Sequence, residues 1–327
     1  MSAREPSLPA ADDPGILRAV CDDAGLLGRF AFKLPSIADI WNHPANRSRQ
    51  WRAIGRSVFW QAWKKLMRQP LTVDYHGLRF RCHPDSRQAS AAIYFHGWPD
   101  YWEMRFVSDY LRPGDGFLDI GANIGLYSLL AASIVGPSGR VMAFEPGRIP
   151  ADRLRDACIA NRLENIALVR SGVGEHTGEL TFDAGSEDAT AHVAVADEIS
   201  NTRVPAIRLD EYLDDTPIAM AKLDIEGYEP FALRGMSRLL ASGNPPVFLM
   251  EAAGYSKRYG IETHDLIHEL EAMSYRPMFY DPDHRELLPA DSHWEMGLTN
   301  VLCVFDGARD LVSKRIVTSW RPIAVHL

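Results

Sequence analysis

Four ionisable side chains at two strand ends hold the chemistry this sequence could perform. Lys222-Leu-Asp224-Ile-Glu226-Gly227 closes one apolar run, and Val247-Phe-Leu-Met-Glu251 closes another. Side chains alternate along a strand, so Lys222, Asp224 and Glu226 share one face while Leu223 and Ile225 share the other. Ionisable groups on an inner strand are costly unless they are paired or functional. A carboxylate there can take a proton from an aliphatic hydroxyl, which is worth about 10²–10⁴-fold in rate. Two other uses of the same residues stand beside that one. Lys222 could pair with a carboxylate and merely close the strand end, or the clustered acids could bind Mg²⁺ and lower the hydroxyl pKa. No residue is assigned to a metal.

A second constellation lies upstream, at Gly116-Phe-Leu-Asp119-Ile-Gly121-Ala122-Asn123-Ile-Gly125-Leu-Tyr-Ser. An apolar run, an acid, a glycine loop and a helix start are the order in which open α/β sheets hold nucleotide-like ligands. A dinucleotide site requires a middle glycine so that the backbone can approach a pyrophosphate. Asn123 stands there instead, so the loop suits an adenosine ligand without a pyrophosphate, and S-adenosylmethionine fits. Arg140-Val-Met-Ala-Phe-Glu145-Pro146 reads as the next strand, with Glu145 placed 24 residues after Gly121. A carboxylate at that point can accept hydrogen bonds from both hydroxyls of a ribose.

The elements that must position these groups alternate. Strands are expected near 116–120, 140–145, 166–170, 219–225 and 247–251, with helices near 124–135, 150–161, 229–241 and 263–273. That rhythm predicts an α/β fold with parallel strands and crossover helices. Residues 71–82 read as a β-hairpin turning at Tyr75-His76-Gly77. Tyr275-Arg-Pro-Met-Phe-Tyr and Thr299-Asn-Val-Leu-Cys-Val-Phe read as a strand pair closing one sheet edge. Residues 174–205, rich in Gly, Ala, Ser and acids, interrupt the rhythm as a lid, a substrate wall or a surface loop. His192 in that insertion and His96 before the core could each act as a base. Two units are expected: an N-terminal helical and hairpin extension over 1–105 and a ligand-binding domain over 106–327.

With 327 residues, 46% apolar and 24% charged, the chain can bury a substantial core. A net charge of -8 argues against nucleic acid as a partner. Cys21, Cys82, Cys158 and Cys303 are too scattered for a zinc site or a disulfide framework. With no apolar signal core at the start and no run of roughly 18 apolar residues, a cytoplasmic location is expected.

Taken together, these motifs resemble the FkbM family of S-adenosylmethionine-dependent methyltransferases. The resemblance rests on Asp119 to Ser128, on Ala143-Phe-Glu145-Pro146, on Gly172-Val173-Gly-Glu175 and on Leu209-Asp210-Glu-Tyr-Leu213. Lys222 to Gly227 with Glu229 and Leu233-Arg-Gly235, then Thr299-Asn-Val301, complete it over roughly residues 90–305. It implies a class I methyltransferase fold, Rossmann-like, with a mostly parallel sheet flanked by helices. Around the cofactor it implies Asp119, Gly121, Ala122, Asn123, Gly125, Glu145 and Pro146, joined by Gly172 and Val173. Glu103 is implied at the methionine end. Transfer to a hydroxyl of a sugar, glycoconjugate or natural product is the activity implied. Gly147-Arg148-Ile149-Pro150 departs from the family's polar text after Pro146. A nicotinamide-dependent sugar oxidoreductase or epimerase is the rival reading, but it needs a glycine at 123 and a Tyr-x-x-x-Lys pair, both absent here. A non-catalytic binding module is the third.

Between Ile40 and Val73 there is no acid, but seven Lys or Arg and four Trp. On a helical wheel Trp51, Ile54, Val58, Phe59, Ala62 and Leu66 share one arc, opposed by Arg49, Arg52, Arg56, Lys64 and Arg68 with Trp60 and Trp63. The plain expectation is that the apolar arc packs on the core and the basic face is solvated. A peripheral membrane-surface contact through residues 47–68, a homodimer contact and a shelf for a sugar acceptor are the alternatives.

Overall fold

A computed structural model describes residues 37–86, 89–183, 192–194, 202–290 and 300–318. First come α1 (Ile37–Asn42), α2 (Gln50–Leu66), β1 (Leu71–Tyr75), β2 (Leu78–Cys82), α3 (Ala89–His96) and α4 (Tyr101–Tyr110). The alternating part opens with β3 (Gly116–Ile120), α5 (Leu126–Val135), β4 (Arg140–Phe144), α6 (Arg148–Asn161) and β5 (Ile166–Val169). Four strands follow: β6 (Gly172–Val173), β7 (Gly178–Asp183), β8 (His192–Val193) and β9 (Thr202–Ile207). Next are α7 (Leu209–Tyr212), β10 (Met220–Leu223), α8 (Glu229–Gly235), α9 (Ser237–Ala241), β11 (Val247–Glu251) and α10 (Thr263–Ala272). The chain closes with β12 (Tyr275–Asp281), β13 (Glu286–Pro289), β14 (Asn300–Phe305) and α11 (Arg309–Val317).

The main sheet has the order β13-β12-β14-β11-β10-β3-β4-β5. Strands β11, β10, β3, β4 and β5 run parallel, and β14 lies antiparallel between β11 and β12. This is an α/β fold with a mostly parallel sheet, as the resemblance implied. Every residue of β3 and β10 is buried, as strands covered on both faces require. Chain order reverses beside β3, whose neighbours are β4 and β10, so the crevice for a ligand opens beyond the carboxyl ends of these strands. The expected hairpin forms, and His76 and Gly77 both take positive φ at its turn (53° and 80°), as a tight two-residue connection demands. The pair β12 and β14 forms too, although Thr299 lies outside the described residues and β13 takes the outermost place.

Helix α4 runs through residue 105, and Ile40, Trp60 and Ile93 share one core cluster with Phe117, Leu129 and Leu249. One expectation is corrected by packing: helix α2 is turned the other way from its wheel. Trp51, Val58 and Leu66 are 76%, 66% and 80% exposed, while Ala53 and Trp60 are buried. Tyr94 on α3 explains this: the Trp60 ring lies 5.5 Å from it and the Arg56 guanidinium sits 4.5 Å over its face. An arginine that buries its stem and keeps its charge on an aromatic face can line a packed surface, which a helical wheel scores as polar.

The described parts of the 174–205 insertion form a second sheet, β6-β9-β7-β8, with residues 184–191 and 195–201 outside the description. No helix among the described residues is long and apolar enough to cross a membrane.

Candidate functional site

A cleft of about 880 Å³ lies beyond the carboxyl ends of β3, β4, β10 and β11. Its floor is the sheet, one wall is the small sheet through Leu180, Phe182 and Val204, and the facing wall comes from the extension.

At one end the loop after β3 meets Glu145. The carboxylate accepts the Asn123 N–H (2.8 Å) and the Gly147 N–H (2.7 Å), one on each oxygen. Burial raises its pKa to about 7, against these two donors. Each oxygen keeps a further lone pair for a ligand hydroxyl, and the residue lines the cleft with Gly121, Ala122, Asn123 and Pro146. Asn123 takes the left-handed conformation (φ 49°), and its own Oδ1 accepts the Ile124 N–H at 2.7 Å. Gly121 is obligatory, because at φ 81° a Cβ there would stand 1.8 Å from the Asp224 carbonyl oxygen. Gly172 and Val173 line the cleft from β6.

The other end gathers Lys222, Asp224, Glu226 and Glu251 as expected. Lys222 bonds Asp224 at 2.9 Å and lies 4.0 Å from Asp119 and 5.0 Å over the Tyr127 ring. Burial opposes its charge, but Asp224 and Asp119 outweigh that, and its pKa is raised. Oxygens of Asp224, Glu226 and Glu251 lie within 4.8 Å of one another, so this trio is also where a divalent cation could be held. Burial, then Asp224 and Glu229, lifts Glu226 to about 8. Burial, then Asp224 and Glu226, pushes Glu251 far higher, and its Oε2 is buried without a partner. Burial and the neighbouring acids thus favour the protonated form of Glu251. Glu226 itself sits at φ 57° before Gly227 at φ 99°, in a turn held by Glu229, whose Oε1 accepts the Ile225 and Gly227 N–H groups. A bulky residue in that region is strained, and the turn is over-determined by this buried acid.

Three expected cofactor residues stand behind the surface. Asp119 is 1% exposed and accepts Ser128 Oγ at 2.6 Å, so it positions Lys222 and α5. Gly125 begins α5 against Leu154. Glu103 contacts Asn300 and Asp100, and burial followed by Asp100 raises it to about 7. Asp100 and Asn300 line the cleft in its place.

Asp100 stands in no motif that marks it in the sequence. It occupies the N-cap position of α4, but its side chain accepts Tyr127 Oη at 2.9 Å and makes no cap bond.

His192 does not line the cleft, whereas His96 does. His96 cannot serve as a base: Nδ1 already accepts Asn46 Nδ2 (2.9 Å), its ring stacks on His43 at 3.8 Å, and burial then His43 lower its pKa to about 3. That tautomer carries its proton on Nε2, which makes His96 a fixed hydrogen-bond donor.

Several known proteins are similar to this chain. Hexuronic acid methyltransferase AglP from Haloferax volcanii is 28% identical over 145 residues, 43% of this chain and 58% of that protein. 31-O-demethyl-FK506 methyltransferase FkbM from Streptomyces tacrolimicus is 43% identical over 53 residues, 16% of this chain and 20% of its own. The chain thus spans less than two thirds of either relative. Among solved structures, an S-adenosylmethionine-dependent O-methyltransferase from Thermotoga maritima aligns at 15% identity and TM-score 0.35, over 62% of this chain and 64% of its own. Residues 119–277 match the family model of the methyltransferase FkbM domain.

Proposed function

We propose that this protein is an S-adenosylmethionine-dependent O-methyltransferase acting on a hydroxyl of a sugar or glycoconjugate. One observation carries the reading: the cleft joins a ribose-type cradle at Glu145 to an end where Asp224, Glu226 and Glu251 gather beside a single lysine. A cationic sulfonium brought to that end would favour the ionised forms of its acids, whereas a pyrophosphate would disfavour them further. The hexuronic acid named for the relative from Haloferax volcanii supports a sugar acceptor.

When bound, S-adenosylmethionine supplies a methyl carbon already activated towards a nucleophile. The chain's own part is to position and to move one proton. Glu145 receives the ribose hydroxyls, and the Asn123 loop fixes where the sugar lies. Glu226, with a pKa close to working pH, takes the proton that the acceptor hydroxyl gives up as its oxygen attacks. S-adenosylmethionine held there would supply the methyl group to that oxygen, its carbon–sulfur electron pair remaining on sulfur. Protonated Glu251 donates a hydrogen bond to the acceptor, and the Asp224–Lys222 pair holds the strand end. Holding the partners in line can supply roughly 7–11 kcal/mol in favourable cases.

Thermal-shift titration tests the cofactor: stabilisation by S-adenosylhomocysteine and none by NADH is expected, and the reverse result would restore the oxidoreductase reading. Methyl transfer to hexuronate glycosides is then assayed with and without EDTA. Turnover unaffected by the chelator is expected, whereas a chelator-sensitive rate would assign the three carboxylates to a cation.

A further inference from the structure

The outward side of α2 remains after the site is accounted for. Viewed down its axis, exposed Val58, Trp51, Leu66 and Phe59 form a continuous band, bordered on one side by Lys65 and on the other by Arg52. Trp41 on α1 extends the band, its ring edge-on to Trp51 at 4.9 Å. Met67, half exposed, continues it past the helix end. Large apolar side chains grouped in this way on a water-soluble surface mark a contact site.

Charge decides among the partners. The stretch from Ile40 to Val73 contains no acid. Arg47 is engaged by Asp283 at 3.3 Å, but beyond it the helix gathers cations close enough to disfavour one another: burial, then Arg52 and Arg56, lowers Arg49. A second copy would set this basic rim against its own like charges, whereas anionic headgroups would neutralise it. An apolar band with tryptophans, flanked by Lys and Arg, is the form of helix that lies in the plane of a membrane interface.

We infer that the exposed face of α2, with Trp41 and Trp51, docks this protein on an anionic lipid bilayer surface. The opposite side of the same helix contributes Gln61 and Lys64 to the cleft. Docking would therefore set the cleft about one helix diameter, roughly 10 Å, from the headgroup layer. The inference rests on the helix surface and stands apart from the methyl-transfer reading.

Co-sedimentation of the full-length protein with vesicles tests it. Binding to phosphatidylglycerol/phosphatidylcholine vesicles is expected, with little to phosphatidylcholine alone, and high salt should weaken it. The double variant Trp51→Glu, Leu66→Glu should lose binding at least about tenfold, and Lys65→Gln should weaken it roughly fivefold. Both should keep the wild-type melting temperature and affinity for S-adenosylhomocysteine, since these side chains are exposed. Failure of the full chain to bind anionic vesicles, or binding that the double variant leaves intact, would overturn the inference. So would a dimer in solution that the double variant dissociates without any vesicle binding, which would assign the face to a second copy.

Discussion

The two ends of the cleft settle their charges in opposite ways. At Glu145 each carboxylate oxygen takes one backbone N–H, so the group is fixed by main chain and has no charged neighbour in hydrogen-bond reach. At Glu226 and Glu251 the acids are one another's neighbours, and Lys222 is already committed to Asp224. A carboxylate satisfied by amides is built to accept hydrogen bonds and keep still. Carboxylates crowded together are built to exchange protons, because small changes nearby move their ionisation. On the proposed reading, binding and chemistry occupy separate ends of one cavity.

The division can be broken most severely at Glu226. Glu226→Gln should lower turnover by about 10²–10⁴-fold while leaving S-adenosylhomocysteine affinity unchanged. In the wild type the group holds its proton below about 8 and releases it above, so kcat should climb as pH rises through that value. The variant should lack that limb, and an unaltered pH–rate profile would move the base elsewhere. Glu145→Ala comes next: calorimetric titration should show cofactor product binding weakened by about 1–3 kcal/mol, with turnover at saturation largely kept. Equal losses in turnover would merge the two ends. The smallest effect is expected at His96, where replacement by Phe removes one donor. Acceptor KM should rise by about fivefold, the order expected for one neutral hydrogen bond, and should stay flat from pH 6 to 9, which lies wholly above the ring's pKa of about 3. A change confined to cofactor affinity would place His96 outside the acceptor wall.

The sheet and both ends of the cleft were legible because each rests on short-range pattern. Apolar runs ending in Asp119, Glu145, Asp224 and Glu251 fix both a strand and the side of the sheet on which it ends. What escaped depends on partners distant in sequence. The orientation of α2 follows from Tyr94, which offers Arg56 a face and Trp60 a neighbour. The small sheet pairs Gly172–Val173 with Ala206–Ile207, a partner more than thirty residues on that local alternation cannot name. Asp100 takes its place in the cleft beside Tyr127, a partner 27 residues away. His96 looks like a base until Asn46, fifty residues earlier, is seen to occupy its Nδ1.

The close approach of Gly121 to Asp224 has a bearing on how such an enzyme could change its preferences. Main chain touches main chain there, so the spacing between donor cradle and proton acceptor is written into the backbone and cannot be retuned by swapping side chains. Freedom to admit a different acceptor is left to the opposite wall, where Gln61, Lys64 and His96 come from helices outside the sheet. Under the proposed function, such a fold would keep its reaction constant and let its clientele vary by redecorating a surface that the chemistry does not touch.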